Sequence, residues 1–133
     1  MGKLIDTVAW VHIVDGRVLG ARSRGEELFY IPGGKRHDGE SDAQTLLREI
    51  EEELTVRLVP ETVAHFRTYE AAIHRPGADA VVRMACYTAA FTGSLAPSSE
   101  IEELAWLSYA ERDRTPPVDQ LAFDDLRAAG LLR

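Results

Sequence analysis

The run Arg48-Glu49-Ile50-Glu51-Glu52-Glu53 carries the densest chemical signal in this sequence. Residues three or four apart on a helix share a face, so Glu49, Glu52 and Glu53 would form one acidic patch. Glu51 points away from the Glu49–Glu53 line. Like charges at such spacings each cost an isolated helix about 0.2–0.5 kcal/mol. A hard divalent cation would offset that repulsion, and magnesium is bound by carboxylates together with substrate phosphates. The plain alternative is a solvated charged face, with Arg48 as a local ion-pair partner. The preceding stretch bears on that choice. Pro32-Gly33-Gly34 lets backbone approach a ligand closely, because glycine has no side chain in the way. Gly39-Glu40 then stands just ahead of the helix and can bring a fourth carboxylate to the patch.

The elements that must position these groups follow from pattern. Ser41 with Gln44 three residues on makes a capping box, and Ala43, Leu46, Leu47, Ile50 and Leu54 recur at helical spacing. That apolar stripe faces a core, so the acids face outward or into a cleft. Leu4–Val14 reads as a strand, Asp15-Gly16 as a turn and Arg17–Arg22 as the returning strand. Arg24–Glu27 is a polar loop, and Leu28–Ile31 a short strand ended by Pro32. Val56–Val59 and Val63–Ala72 read as extended, His74–Asp79 as a loop, and Ala80–Phe91 as a strand. On that strand Val82, Met84 and Cys86 share one face, and Arg83 and Tyr87 the other. Thr92–Ser99 is a small-residue loop, and Ala105–Leu107 a short strand. A final helix runs from about Val118 to Ala129, with Gly130 as its stop. Strands and helices are mixed without strict alternation, which points to an α/β fold with a mixed sheet flanked by helices.

A chain of 133 residues suits one domain with one core. Hydrophobic residues at 45% and charged residues at 28% describe a globular composition. There is no apolar run long enough to span a bilayer, and Asp6 interrupts the start too early for a signal peptide. The expected location is the cytoplasm. Cys86 is the only cysteine, so an intrachain disulfide and a cysteine zinc cage are both excluded, and core packing is its expected role. The net charge of −7 argues against a nucleic-acid groove, though not against a nucleotide, because a metal can reverse the local sign of an acidic pocket.

These residues resemble the box of the Nudix hydrolase family, in its MutT-like branch. The box is Gly, five residues, Glu, seven residues, Arg-Glu, an aliphatic, any residue, Glu-Glu, any residue, Gly, an aliphatic. Gly34, Glu40, Arg48, Glu49, Ile50, Glu52, Glu53 and Val56 stand in that register, so the box spans 34–56. Thr55 stands where the family usually has glycine. Since a β-branched residue is disfavoured at positive φ, either the helix ends differently here or its end is strained. The flanks Ile31–Gly34 and Gly39–Ser41 also look like the family's. Weaker likenesses are Glu100-Ile101 with Trp106-Leu107, and the closing helix with Gly130–Leu132.

The resemblance implies an α/β/α sandwich with a mixed sheet over residues 1–133, and hydrolysis of a nucleoside diphosphate linked to another group X. It implies that Glu49, Glu52, Glu53 and the Gly34 carbonyl hold magnesium or manganese. Glu40 would support the metal or its waters, and Arg48 would orient the carboxylates. Divalent ions there could neutralise the phosphates, position water and lower its pKa from 15.7 towards about 7. Candidates for the general base are Glu52 and Glu53 on the helix, and Glu100, Glu102 and Glu103 on a loop, with Glu100 favoured among the last three. Many relatives pair into dimers, although no segment here marks an interface.

Substrate contacts lie outside the box. Arg22 and Arg24 could meet a phosphate or be ordinary surface arginines. Of Phe29 and Tyr30, one is expected to line the pocket and the other to join the core. Arg83, sharing a face with Tyr87, could line a cleft. His12, His37, His65 and His74 show no metal-ligand spacing, and Trp10 and Trp106 are expected in the core. Two other readings compete: a catalytically silent Nudix-like module that binds nucleotide as a sensor, and an isoprenoid diphosphate isomerase. The full acid set speaks against the first. The second would require an additional proton-transfer pair, for which Cys86 is a poor candidate.

Overall fold

The computed structural model describes residues 3–73, 76, 77 and 79–133. In chain order the elements are β1 Lys3–Trp10, β2 Ile13–Val14, β3 Arg17–Ser23, β4 Gly33–Lys35, α1 Asp42–Leu54, β5 Arg57–Leu58, β6 Ala64–Ile73, β7 Ala80–Thr88, β8 Phe91–Thr92, β9 Ile101–Leu107 and α2 Pro117–Ala128. Short 3₁₀ segments occupy Pro60–Thr62 and Tyr109–Arg114. Among the described residues no helix is long and apolar enough to cross a membrane. The start at Met1 and Gly2, and His74, Arg75 and Ala78 of the expected 74–79 loop, lie outside the described residues.

The main sheet is mixed, in the order β4-β1-β7-β6. β1 and β7 pair in parallel from Lys3↔Ala80 to Trp10↔Tyr87, while β4 and β6 flank them antiparallel. A parallel pair is normally covered on both faces. Here α1 covers one face, with Leu46, Ile50 and Leu54 fully buried on Val8, Trp10 and Ala85. α2 covers the other, with Ala122, Phe123 and Leu126 against Ala9, Val11, Met84 and Cys86. Each such leucine contributes about 1.5–3 kcal/mol by leaving water. The result is the expected α/β/α layering. A second sheet, β2-β3-β9, and a small β5-β8 pair complete the fold.

Several expected elements fall differently, and the backbone hydrogen bonds say why. The strand expected over Leu4–Val14 breaks after Trp10. Val11 N–H still donates to Tyr87 of the main sheet, but the next carbonyl, of His12, accepts from Leu19 N–H of the second. The chain therefore changes sheets at that point. Leu28–Ile31 forms only one bridge, Ala21↔Tyr30, because Phe29 N–H donates to the Arg114 carbonyl and Ile31 N–H to the Asp119 side chain. The strand expected over Ala80–Phe91 ends at Thr88, and Phe91 pairs with β5 instead. Conversely, β9 starts at Ile101, so Glu102 and Glu103 lie on a strand and not in a loop. Their charge hid the strand, and Arg22 on β3 accommodates it by pairing with both. Trp106 is 38% exposed, which corrects its expected place in the core, whereas Trp10 is wholly buried.

α1 begins as its sequence predicts. Gln44 N–H donates to the Ser41 hydroxyl at 3.1 Å, and Ser41 N–H donates to the Gln44 side chain at 2.8 Å. It ends on Thr55 in the left-handed region, φ 63° and ψ 15°. That conformation disfavours an L residue by about 1–2 kcal/mol. The Thr55 hydroxyl donates to the Ser94 carbonyl at 3.0 Å, a bond that a glycine could not make. The helix thus ends as the box requires, with strain set against a hydrogen bond. Urea unfolding should show Thr55→Val about 1 kcal/mol less stable than the parent, since the strain stays and the bond goes. Thr55→Gly should fall within about 1 kcal/mol of the parent, because relief of strain offsets the lost bond and the freer unfolded chain. A valine variant as stable as the parent would contradict the offset.

Candidate active site

The site forms where α1 passes the β4 edge of the main sheet. Gly33 and Gly34 are required there by contact, each with a different neighbour. A Cβ on Gly33 would sit 1.9 Å from the Val8 carbonyl oxygen. A Cβ on Gly34 would sit 2.5 Å from the Glu49 carboxyl carbon, so that carboxylate occupies the space a side chain would fill. Gly33 N–H donates to Glu53 at 3.1 Å. Glu53 is only 2% exposed, and the Tyr30 hydroxyl stands 3.5 Å from its second oxygen. Burial, followed by the nearby Glu49 charge, pushes the Glu53 carboxyl up to about 8. Burial also raises Glu49, against the pull of Arg48.

Arg48 organises the rest of the helix face. Its Nε and Nη2 donate to the two oxygens of Glu40 at 2.8 and 2.9 Å, and Nη1 donates to Glu49 at 2.8 Å. Such a paired fork is strong and geometrically specific. It helps draw the Glu40 carboxyl down to about 2. Glu52 lies 3.6 Å from Arg48 Nη1 and is otherwise exposed. Among the described residues, no three acidic or imidazole side chains already stand as a closed metal cage.

A cleft of about 1030 Å³ opens beside these groups, lined among others by Glu49, Glu53, Glu100, Tyr30 and Asp119. Glu100 arrives from the segment before β9, which is tied down on two sides. Ser98 N–H donates to the Glu53 carbonyl, and Arg24 holds the turn through its N–H to Glu100 and its guanidinium to Ser99, the latter at 2.6 Å. The Ser99 hydroxyl donates to Glu100 at 2.6 Å and lowers its pKa.

Of the expected substrate contacts, only Tyr30 reaches the cleft, while Phe29 is core. The structure does not bring Arg22, Arg24 or Arg83 to the cleft lining. Arg22 is committed to Glu102, Glu103 and the Glu26 carbonyl, and Arg24 to Ser99. Arg83 shares the α1 face of the sheet with Tyr87 and lies 3.9 Å from Glu70. The basic side chains that do line the cleft are those of Lys35 and His37. Asp119 was missed as well. It accepts from Ile31 N–H at 2.8 Å, is 3% exposed, and is pushed up to about 7 by burial. Its signal was present, because an acid three, four and seven residues before Ala122, Phe123 and Leu126 sits on an apolar stripe.

Helix, glycine turn and acids together define a carboxylate-rich cleft on a mixed α/β sandwich. The sequence matches the NUDIX domain family over residues 3–126, and the chain belongs to that family. It is therefore a hydrolase acting on a pyrophosphate bond, in a family that generally uses divalent metals. A search of curated proteins finds no match. Among solved structures it resembles the ORF135 protein of E. coli at 27% identity, covering 96% of this chain and 94% of that one, with a TM-score of 0.72. It also resembles a MutT NUDIX hydrolase from Burkholderia pseudomallei, at 24% identity, 92% and 97% coverage and a TM-score of 0.64. A third likeness is to a bifunctional NMN adenylyltransferase/ADP-ribose pyrophosphatase from Francisella tularensis, complexed with AMP and manganese. That match has 15% identity, a TM-score of 0.70, and covers 97% of this chain and 42% of that one.

Asp119 gives a pH test. Its carboxyl ionises near 7 in the folded chain and near 3.8 when unfolded. The folded state therefore holds the proton longer, and the contribution of this group is full below about pH 4 and lost as pH rises through about 7. Asp119→Asn keeps an acceptor for Ile31 N–H and carries no charge. Relative to the parent, it should gain at least about 1 kcal/mol in urea unfolding between pH 4.5 and 8. A pH-independent difference would contradict the buried-acid assignment.

Proposed function

We propose that this single domain, over residues 1–133, hydrolyses a nucleoside diphosphate linked to a group X, with magnesium or manganese held by Glu49, Glu52, Glu53 and the Gly34 carbonyl. The observation that carries this is the packing of the Glu49 carboxylate over Gly34, beside a Glu53 carboxylate buried against Gly33 N–H. The two acids meet at one bared stretch of backbone where little water can screen their mutual repulsion, which helps to raise Glu53, and a divalent ion fits that donor set. Magnesium keeps several waters and takes few protein carboxylates, completing its shell with substrate phosphates, so a closed cage is not needed beforehand. When bound, the ion neutralises phosphate charge and makes water a stronger acid.

The chain's own residues have distinct tasks in this reading. Arg48 fixes the Glu49 rotamer and, by occupying Glu40, keeps that acid at the edge as support. Tyr30 and Gly33 N–H fix Glu53. Glu100 faces the cleft with its carboxyl held in the charged form, which suits a general base taking a proton from the attacking water. Glu52 and Glu53 are the alternative bases. Lys35 takes the role first given to Arg22 and Arg24, meeting a phosphate. The cleft continues past Tyr30 to Pro116, Pro117 and Asp119, an apolar slot with one polar group at its floor, which suits a planar base. The buried, unpaired Cys86 fits a cytoplasmic enzyme.

The test is formation of nucleotide products, read by chromatography, from a panel of nucleoside triphosphates, ADP-ribose, sugar nucleotides and dinucleoside polyphosphates, with magnesium and with chelator. At least one member should be turned over only with metal, and Glu53→Gln should lower its turnover at least about a hundredfold. Binding without turnover across the panel would favour the sensor reading instead. Near-normal turnover by Glu53→Gln would contradict the role given to that acid.

A further inference from the structure

A second hollow, of about 570 Å³, lies at the far ends of the elements that build the cleft. The cleft takes Ser23, Glu100 and Pro117, from the end of β3, the approach to β9 and the start of α2. The hollow takes Arg17 from the start of β3, Trp106 from the end of β9, Arg127 from the last turn of α2, and Arg133 beyond it. At about 3.3 Å per residue, the length of β3 separates the two by ~20 Å.

Its charge sets it apart. In a chain of net charge −7, the side chains lining the hollow include those of Arg17, Arg127 and Arg133 with one acidic side chain, Asp15. Among the described residues, these three guanidinium groups have no ion pair and no hydrogen bond. The other described arginines are engaged, Arg24 by the Ser99 carbonyl and the rest by carboxylates. The groups are nevertheless placed. Arg133 is anchored by its N–H to the Gly16 carbonyl at 2.8 Å and by Tyr109 N–H to its own carbonyl at 2.6 Å. Its side chain lies across Gly16, where a Cβ would come within 2.5 Å of it. The Arg127 guanidinium stands 5.3 Å from the Tyr109 ring centre. Trp106, tilted against His12 at 5.5 Å, leaves part of its indole open.

Unpaired guanidinium forks match phosphate oxygens, and an open indole offers a face for a planar ring. We infer that this hollow is a second ligand site, taking a nucleoside monophosphate with its phosphate among Arg17, Arg127 and Arg133 and its base on Trp106. The inference does not depend on the reaction proposed for the cleft.

The test is calorimetric and tryptophan-fluorescence titration with AMP in chelator, which leaves the cleft without metal. The parent and Glu49→Gln should bind saturably and alike, with a change in indole emission that Trp106→Phe removes. Arg17→Ala with Arg127→Ala, both at exposed positions, should bind at least about tenfold more weakly with an unchanged circular dichroism spectrum. Ribose 5-phosphate should bind more weakly than AMP. The inference is overturned by absence of saturable binding, by full affinity in the double variant, or by loss of binding in Glu49→Gln. Equal affinity for ribose 5-phosphate would overturn the place given to the base.

Discussion

The structure depends on one arrangement, a helix carboxylate buried against bare backbone at a sheet edge. Glu53 could not be taken out of water without a donor, and Gly33 N–H supplies it. Gly34 leaves room for Glu49 beside it. Both contacts require α1 to pass β4 at close range, and that in turn requires Leu46, Ile50 and Leu54 to be buried on Val8 and Trp10. Core packing and the acidic site are thus two faces of one helix. The apolar stripe fixes its height above the sheet, and the acids on its flank reach the edge strand at that height.

The same logic explains how the charged residues are divided. Arg48 is surrounded by acids, which keeps the carboxylates apart and oriented while it neutralises part of their charge. Arg22 and Arg24, which sequence order brings near the glycine turn, are used to hold β9 and the Ser98–Glu100 segment in place. Their value to the site is positional. The segment they hold carries Glu100 to the cleft and is latched to the carbonyls of Glu53 and Leu54 at the end of α1. Helix, glycine turn and acidic segment are therefore fixed to one another by backbone hydrogen bonds as well as by packing.

Much of the helix was legible in the sequence. Its capping box, apolar stripe and glycine turn are local, and local patterns decide them. The mixed sheet and the two covering helices also followed from the order of elements. What was not legible depended on partners distant in the chain. Nothing near Leu28–Ile31 reveals that its peptide groups bond to Arg114 and Asp119, so a strand was expected where there is none. Nothing near Glu102 and Glu103 reveals the facing Arg22, so a loop was expected where there is a strand. Arg22 and Arg24 are expected at a phosphate because arginine suits phosphate, and Arg83 in a cleft because it shares a strand face with Tyr87, but each is matched to another partner across a sheet or loop. Asp119 was the reverse case. An acid on an apolar stripe was visible in the sequence, and only its position at the cleft floor was not.

The central claim is that Glu49 and Glu53 make a divalent-ion site against the glycine turn. Calorimetric titration of the parent chain and of Glu49→Gln with manganese tests it most directly, because binding is read without any choice of substrate. The account predicts saturable binding by the parent, weakened at least about tenfold in the variant. Equal affinity in the two proteins would contradict it.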